Sequence, residues 1–158
     1  MMICLLSLEL VFIACDDDDD DAKHDTVTGA TYPEYIGKVN VDNGYQQDEV
    51  VSIFKSLGDN TYDISILKVR FSENMPVYVD VELKNLPATI EREDTLIHMD
   101  TLVPYAMNGY MAHYTFYNFN CKVNKDSMIF WTDSSGFKID YKAKRKNNIH
   151  CIYNSHIN

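Results

Sequence analysis

Val77-Tyr78-Val79-Asp80-Val81-Glu82-Leu83-Lys84 sets Val77, Val79, Val81 and Leu83 on one side of an extended chain and Tyr78, Asp80, Glu82 and Lys84 on the other. Successive side chains of a strand point to opposite faces, so this period of two predicts a strand with one buried and one wet face. Phe137, Ile139, Tyr141 and Ala143 alternate with Lys138, Asp140, Lys142 and Lys144 in the same way. Around these two segments, apolar-rich stretches of strand length alternate with short polar breaks, and no stretch carries a 3.6-residue stripe. The expected strands are Tyr35 to Val41, Glu49 to Ser56, Tyr62 to Phe71, Val77 to Leu86, Thr95 to Met99, Gly109 to Val123, Met128 to Thr132 and Phe137 to Arg145. Eight strands can close on themselves, which removes the free edges of an open sheet. The fold class is therefore all-β, as an eight-stranded antiparallel meander barrel.

Local signals refine this reading. Tyr62, Ile64 and Ile66 are followed by Val69 and Phe71, so the apolar phase slips by one residue, and a β-bulge near Leu67 would absorb the slip. Asp42-Asn43-Gly44, Gly58-Asp59-Asn60 and Ser134-Ser135-Gly136 carry residues that tolerate positive φ and read as turns between antiparallel neighbours. Tyr110, Tyr114 and Phe116 share one phase, and Tyr117 and Phe119 the other. That strand is buried on both sides or twisted between two environments, either as core packing or as a ligand-lining wall. Trp131, the single tryptophan, is expected in the core.

The 158 residues, 46% hydrophobic and 24% charged, suit one globular domain. The net charge is −10, but six of the acids are the contiguous Asp16 to Asp21, so the body is close to neutral. Nucleic acid is thereby excluded as a partner, since displacing phosphate counterions takes clustered Lys and Arg. The one basic run, Lys142, Lys144, Arg145 and Lys146, reads as a solvated strand end.

Met1 to Ala14 is nearly all apolar, too short to cross a bilayer, and ends at Ala14-Cys15 before the aspartates. This is the form of a secretory leader with a small residue at the cut. Phe12-Ile13-Ala14-Cys15 resembles the lipobox of bacterial lipoproteins, and the resemblance implies cleavage before Cys15 and acylation of its sulfur. The other reading makes Met1 to Ala14 a buried element and Cys15 a core thiol. Six adjacent like charges stay hydrated and extended, which favours the leader. The acid run also resembles the surface-export signal of lipoproteins in anaerobic Gram-negative bacteria, which implies an outward-facing, lipid-anchored place on the outer membrane; as a mere tether it would leave the periplasm-facing alternative open. Cys4 leaves with the leader, so Cys121 and Cys151 either pair as a disulfide or remain thiols.

Tyr35-Ile36-Gly37, Met75-Pro76-Val77-Tyr78-Val79-Asp80-Val81-Glu82-Leu83-Lys84-Asn85-Leu86-Pro87-Ala88, Met128-Ile129-Phe130-Trp131 and Gly136-Phe137-Lys138-Ile139-Asp140-Tyr141, taken with the leader, resemble the calycin-like family of bacterial lipoproteins. The resemblance spans about Tyr32 to Lys146 and implies a barrel related to lipocalins, with no catalytic residues to carry over. The expected organisation is a signal peptide over 1–14, an acidic tether over 15–33, a calycin-like barrel over 34–146 and a loose tail over 147–158.

No nucleophile elbow, phosphate-cradling loop or helical histidine pair is present, and His24, His98, His113, His150 and His156 stand singly. The expectation is a non-enzymatic protein without cofactor or metal. Its barrel holds a small apolar ligand or a glycan; the alternative is a solid structural or protein-interaction module, with Tyr78 and its charged neighbours on the meeting face. Asp25-Thr26-Val27 resembles a short O-glycosylation pattern that Asp94-Thr95-Leu96, Asp100-Thr101-Leu102 and Asp126-Ser127-Met128 also fit.

Overall fold

A computed structural model describes residues 32–147. The leader, most of the tether, the tail beyond residue 147, Cys15 and Cys151 lie outside the described residues. The strands are β1 (Glu34–Val41), β2 (Gln46–Gly58), β3 (Thr61–Val69), β4 (Val79–Glu91), β5 (Asp94–Leu102), β6 (Tyr105–Ala106), β7 (Gly109–Tyr110), β8 (Phe116–Val123), β9 (Ser127–Ser134) and β10 (Phe137–Arg145), with a 3-10 turn at Ala112–Tyr114. The eight long strands follow one another around a closed antiparallel barrel, β3 pairing with β4 and β10 with β1. The tiny β6–β7 hairpin is an addition that pairs with β4 where Glu82 faces Tyr105.

The expected turns form. Ser135 and Gly136 both have positive φ and join Ser134 to Phe137 as a two-residue hairpin whose twist matches its strands. The bulge expected near Leu67 falls at Lys68, where φ is 49° and the β3–β4 register shifts between Ile66 and Val69. Glu49, Asn85 and Asn118 also have positive φ, each beside a register shift.

Three expectations are corrected. The long strand from Gly109 to Val123 is three elements, β7, the 3-10 turn and β8. Its two aromatic phases arise because the Asn118 bulge inserts a residue, so Phe116 and Phe119 both face the core while Tyr117 is half exposed. The deciding strand begins at Val79, and Val77 with Tyr78 lies in the preceding loop, both exposed. Trp131 is 48% exposed on the outer face of β9, because Met128, Phe130 and Thr132 hold the inward phase and an odd residue must point out.

A column of aromatic rings fills the barrel. Phe71, Phe116, Phe119, Phe130 and Tyr141 follow one another at centroid separations of 5.7, 6.2, 5.6 and 5.0 Å, all buried. Each such pair adds about 0.5–1.5 kcal/mol to the area it hides from water. Beside the column the Tyr141 hydroxyl donates to the Val50 carbonyl at 3.0 Å and lies 2.9 Å from the Ser52 hydroxyl. Ser52 in turn reaches the Met128 sulfur at 3.2 Å. Burial pushes the Tyr141 phenol up to about 12, with the Ser52 bond pulling the other way. Gly37 is required where β1 meets β10, since a Cβ there would fall on the Lys142 carbonyl oxygen and the Ala143 Cα.

Candidate functional site

The connections at 42–45, 70–78, 103–115 and 135–136 gather at one end of the barrel, and those at 59–60, 92–93 and 124–126 at the other. The second end also receives the start of β1 and the finish of β10, where Lys146 N–H donates to the Glu34 carbonyl. That end is shut. The Tyr35 hydroxyl donates to the Asn124 carbonyl at 2.8 Å, and the Asn124 side chain accepts from the backbone of Asp126 and Ser127 while donating to Asp94.

The first end holds a recess of about 360 Å³. Val41, Phe71, Met75, Tyr114, Phe137 and Ile139 supply most of its walls, with Ser72, Asn74, His113, Ser134 and Ser135 at intervals among them. Its floor is the top of the aromatic column, through Phe71. Mostly apolar walls, a few polar groups and a volume of about 300 Å³ or more are what small-ligand sites have.

Each wall has a local cause. Met75 turns inward because the loop after β3 folds on itself, the Phe71 N–H pointing at the Met75 sulfur at 3.2 Å and the Met75 N–H donating to the Ser72 carbonyl. Gln47 staples the start of that loop, accepting from the Arg70 N–H at 2.9 Å and donating to the Lys68 carbonyl at 2.8 Å. The Arg70 guanidinium lies between the Tyr45 and Tyr78 rings, 5.9 and 4.3 Å from their centroids. On the opposite side Ser135 Oγ donates to the His113 carbonyl at 2.8 Å, tying the β9–β10 hairpin to the 3-10 turn.

Ser134 is the informative residue. As the last residue of β9 it keeps the inward phase of Phe130 and Thr132, and it is 4% exposed. Thr132 Oγ1 donates to the Tyr117 carbonyl at 2.9 Å, whereas Ser134 Oγ is buried without a hydrogen-bond partner. A buried hydroxyl left unpaired costs about 1–3 kcal/mol, and this one is shielded from solvent although its residue contributes to the recess wall. The Arg70 Nε is the other buried side-chain atom in that condition among the described residues.

The residues singled out by sequence are dispersed. Cys121 is buried on β8 and burial pushes its thiol up, which makes it an inert core group. Its prospective partner Cys151 lies outside the described residues, as do Cys15, His24, His150 and His156. His98 is exposed on β5, 2.9 Å from Asn120 Oδ1 and 3.2 Å from Asp100, while His113 stands at the recess. Tyr78 covers Arg70. Lys142, Lys144 and Arg145 are exposed, and Lys146 pairs with Glu34 at 2.9 Å. Asp94, in one of the glycosylation-like triplets, pairs with Lys122 at 2.7 Å, which with Asn124 holds its carboxyl below the usual range. Among the described residues no group of three or more His, Cys, Asp or Glu could hold a metal, and no helix is long and apolar enough to cross a membrane.

In the sequence Ser134 reads only as a turn residue, Phe71 as an apolar strand residue and Met75 as the start of the family-like motif, and none of the three reads as a site residue. The available signal was a serine in phase with Met128 and Phe130, at a strand end where an outward hydroxyl would be ordinary. No family model, curated protein or solved structure matches the chain.

Proposed function

We propose that this protein is a non-enzymatic, lipid-anchored cell-envelope lipoprotein whose barrel takes a small, mainly apolar ligand with one polar end in the recess at its mouth. The observation that carries the reading is the recess itself, about 360 Å³ with mostly apolar walls and a few polar groups, among them Asn74 and His113, above the filled interior of the barrel. The aromatic column fixes how deep the ligand goes: it sits over Phe71, not along the barrel axis. The chain enters the barrel at Glu34, at the end opposite the recess. Lipidation at Cys15, the outer-membrane address and the outward orientation rest on the leader and the aspartate run.

The filled interior favours a second reading, a solid module that meets a protein partner through its outer surface. One experiment separates the two. A fluorescent polyene fatty acid and a panel of apolar alcohols are titrated into the parent and into Ser134→Leu, which plugs the recess. Saturable binding by the parent and none by the plugged, folded variant is expected. Failure of every probe to bind the parent would leave the solid module standing. The anchor is tested apart from this, by the intact mass of the cell-extracted chain. A mass for residues 15–158 plus acyl chains is expected, and an unacylated chain still carrying Met1 would overturn the address.

A further inference from the structure

The mouth leaves the outer face of the barrel unused, and Trp131 stands in the middle of it. Across the strands its neighbours are Asn120 on β8 and Asp140 on β10. Two clefts flank the indole. The larger, about 560 Å³, has Pro87 and Leu96 as apolar wall and Thr89, His98, Asn120 and Lys122 as polar groups. The smaller, about 220 Å³, is edged by Asn118, Asp133, Lys138 and Asp140. Trp131 lines both.

The polar side chains are held in place before any ligand arrives. Asp100 bonds His98, His98 bonds Asn120 Oδ1, Asn120 Nδ2 donates to the Asn118 carbonyl at 2.7 Å, and Asn118 Nδ2 donates to Asp133 at 3.3 Å. This line of bonds runs beside the indole, and it exists because the Asn118 bulge, with φ of 50°, turns extra amide groups outward. Groups ordered in advance lose little entropy on binding.

We infer that this face binds a neutral oligosaccharide, with one sugar ring on the Trp131 indole and its neighbours in the two clefts. A pyranose offers an apolar C–H face and a rim of hydroxyls that both donate and accept. The face presents the complement: a flat exposed aromatic surface, amide and imidazole groups of either hydrogen-bonding sense at its edge, and clefts on both sides that let a chain continue. Charge excludes the nearest competitors. Lys122 is already paired with Asp94, and Lys138 sits among Asp133 and Asp140, so no concentrated positive charge awaits a phosphate or nucleic acid. A single aromatic residue in these clefts is too few for a cage around a quaternary ammonium ion.

Because Trp131 is the only tryptophan, its fluorescence reports on the site directly. Soluble oligosaccharides from β-glucan, α-mannan, xylan and galactan are titrated into the whole protein, alongside gel retardation by the parent polysaccharides. The expected result is a saturable blue shift with protection from iodide quenching for at least one class. Trp131→Ala should lose retardation at least tenfold and Asn120→Ala partly, both with far-UV circular dichroism and fatty-acid binding at the mouth unchanged. No shift and no retardation across the four classes overturns the inference, as does binding that survives Trp131→Ala. Retention of a polypeptide that depends on Trp131, with no sugar bound, would reassign the face to a protein partner and also overturn it.

Discussion

At the end of the barrel where β1 begins and β10 finishes, one Asn124 side chain makes four hydrogen bonds to three neighbours and the Tyr35 hydroxyl donates to the Asn124 carbonyl. At the opposite end β9 finishes on Ser134, buried and unpaired, beside a recess walled by Val41, Phe71 and Ile139. Both ends are built from strands with the same inside-outside alternation, so the difference lies in the connections. Asn124 of the 124–126 turn bonds back onto Asp94 and Ser127, and Glu93 of the 92–93 turn pairs with Lys125 at 3.7 Å, whereas the longer segments at 70–78 and 103–115 leave space between them.

The sharpest way to break the shut half is Gly37→Ala. The added methyl meets backbone atoms of β10 that cannot swing aside, so β1 must separate from it. A loss of about 3 kcal/mol is expected in urea unfolding. A tolerated substitution would mean that the β1–β10 seam is looser than its register implies.

The next effect is alkaline. Tyr141 titrates near 10.0 when unfolded and at about 12 when folded, because burial disfavours the phenolate. The raised folded value means that its contribution is complete below pH 10 and is lost as pH rises toward 12, about 2 kcal/mol across the window. Tyr141→Phe lacks this group, so the stability gap between parent and variant should narrow from pH 10 to 12. A constant gap would place the hydroxyl in contact with water.

Asn124→Ala should cost about 1.5 kcal/mol in thermal unfolding, since the turn amides and Asp94 lose a shared partner. Ser134→Ala should act in the opposite sense at the mouth. Removing an unsatisfied hydroxyl should raise stability by about 1 kcal/mol. If both substitutions destabilise alike, the contrast between the ends is false and Ser134 is an ordinary structural serine.

Much of the barrel was legible in local pattern. Val79, Val81 and Leu83, or Ile139, Tyr141 and Ala143, alternate cleanly enough to name strand and face, and Ser135-Gly136 names its turn. Legibility failed where backbone bulges change the count. Phe116 and Phe119, three apart, face the same interior only because Asn118 takes a left-handed conformation. It failed differently at Trp131, where residue type suggested core although the alternation with Phe130 pointed outward.

Most strand identities and turn positions follow from the order of residues alone, because each depends on neighbours two to four positions apart, and the closeness of the body to neutrality follows from setting the aspartate run aside. The recess and the outer clefts were decided by tertiary structure. Closing the sheet brings Phe71, Ser134 and Ile139 from three separate strands or their ends onto one cavity, and bulges at single residues choose which side chains line each face. Such distances in sequence carry no periodic signal, and only the packed barrel makes them neighbours.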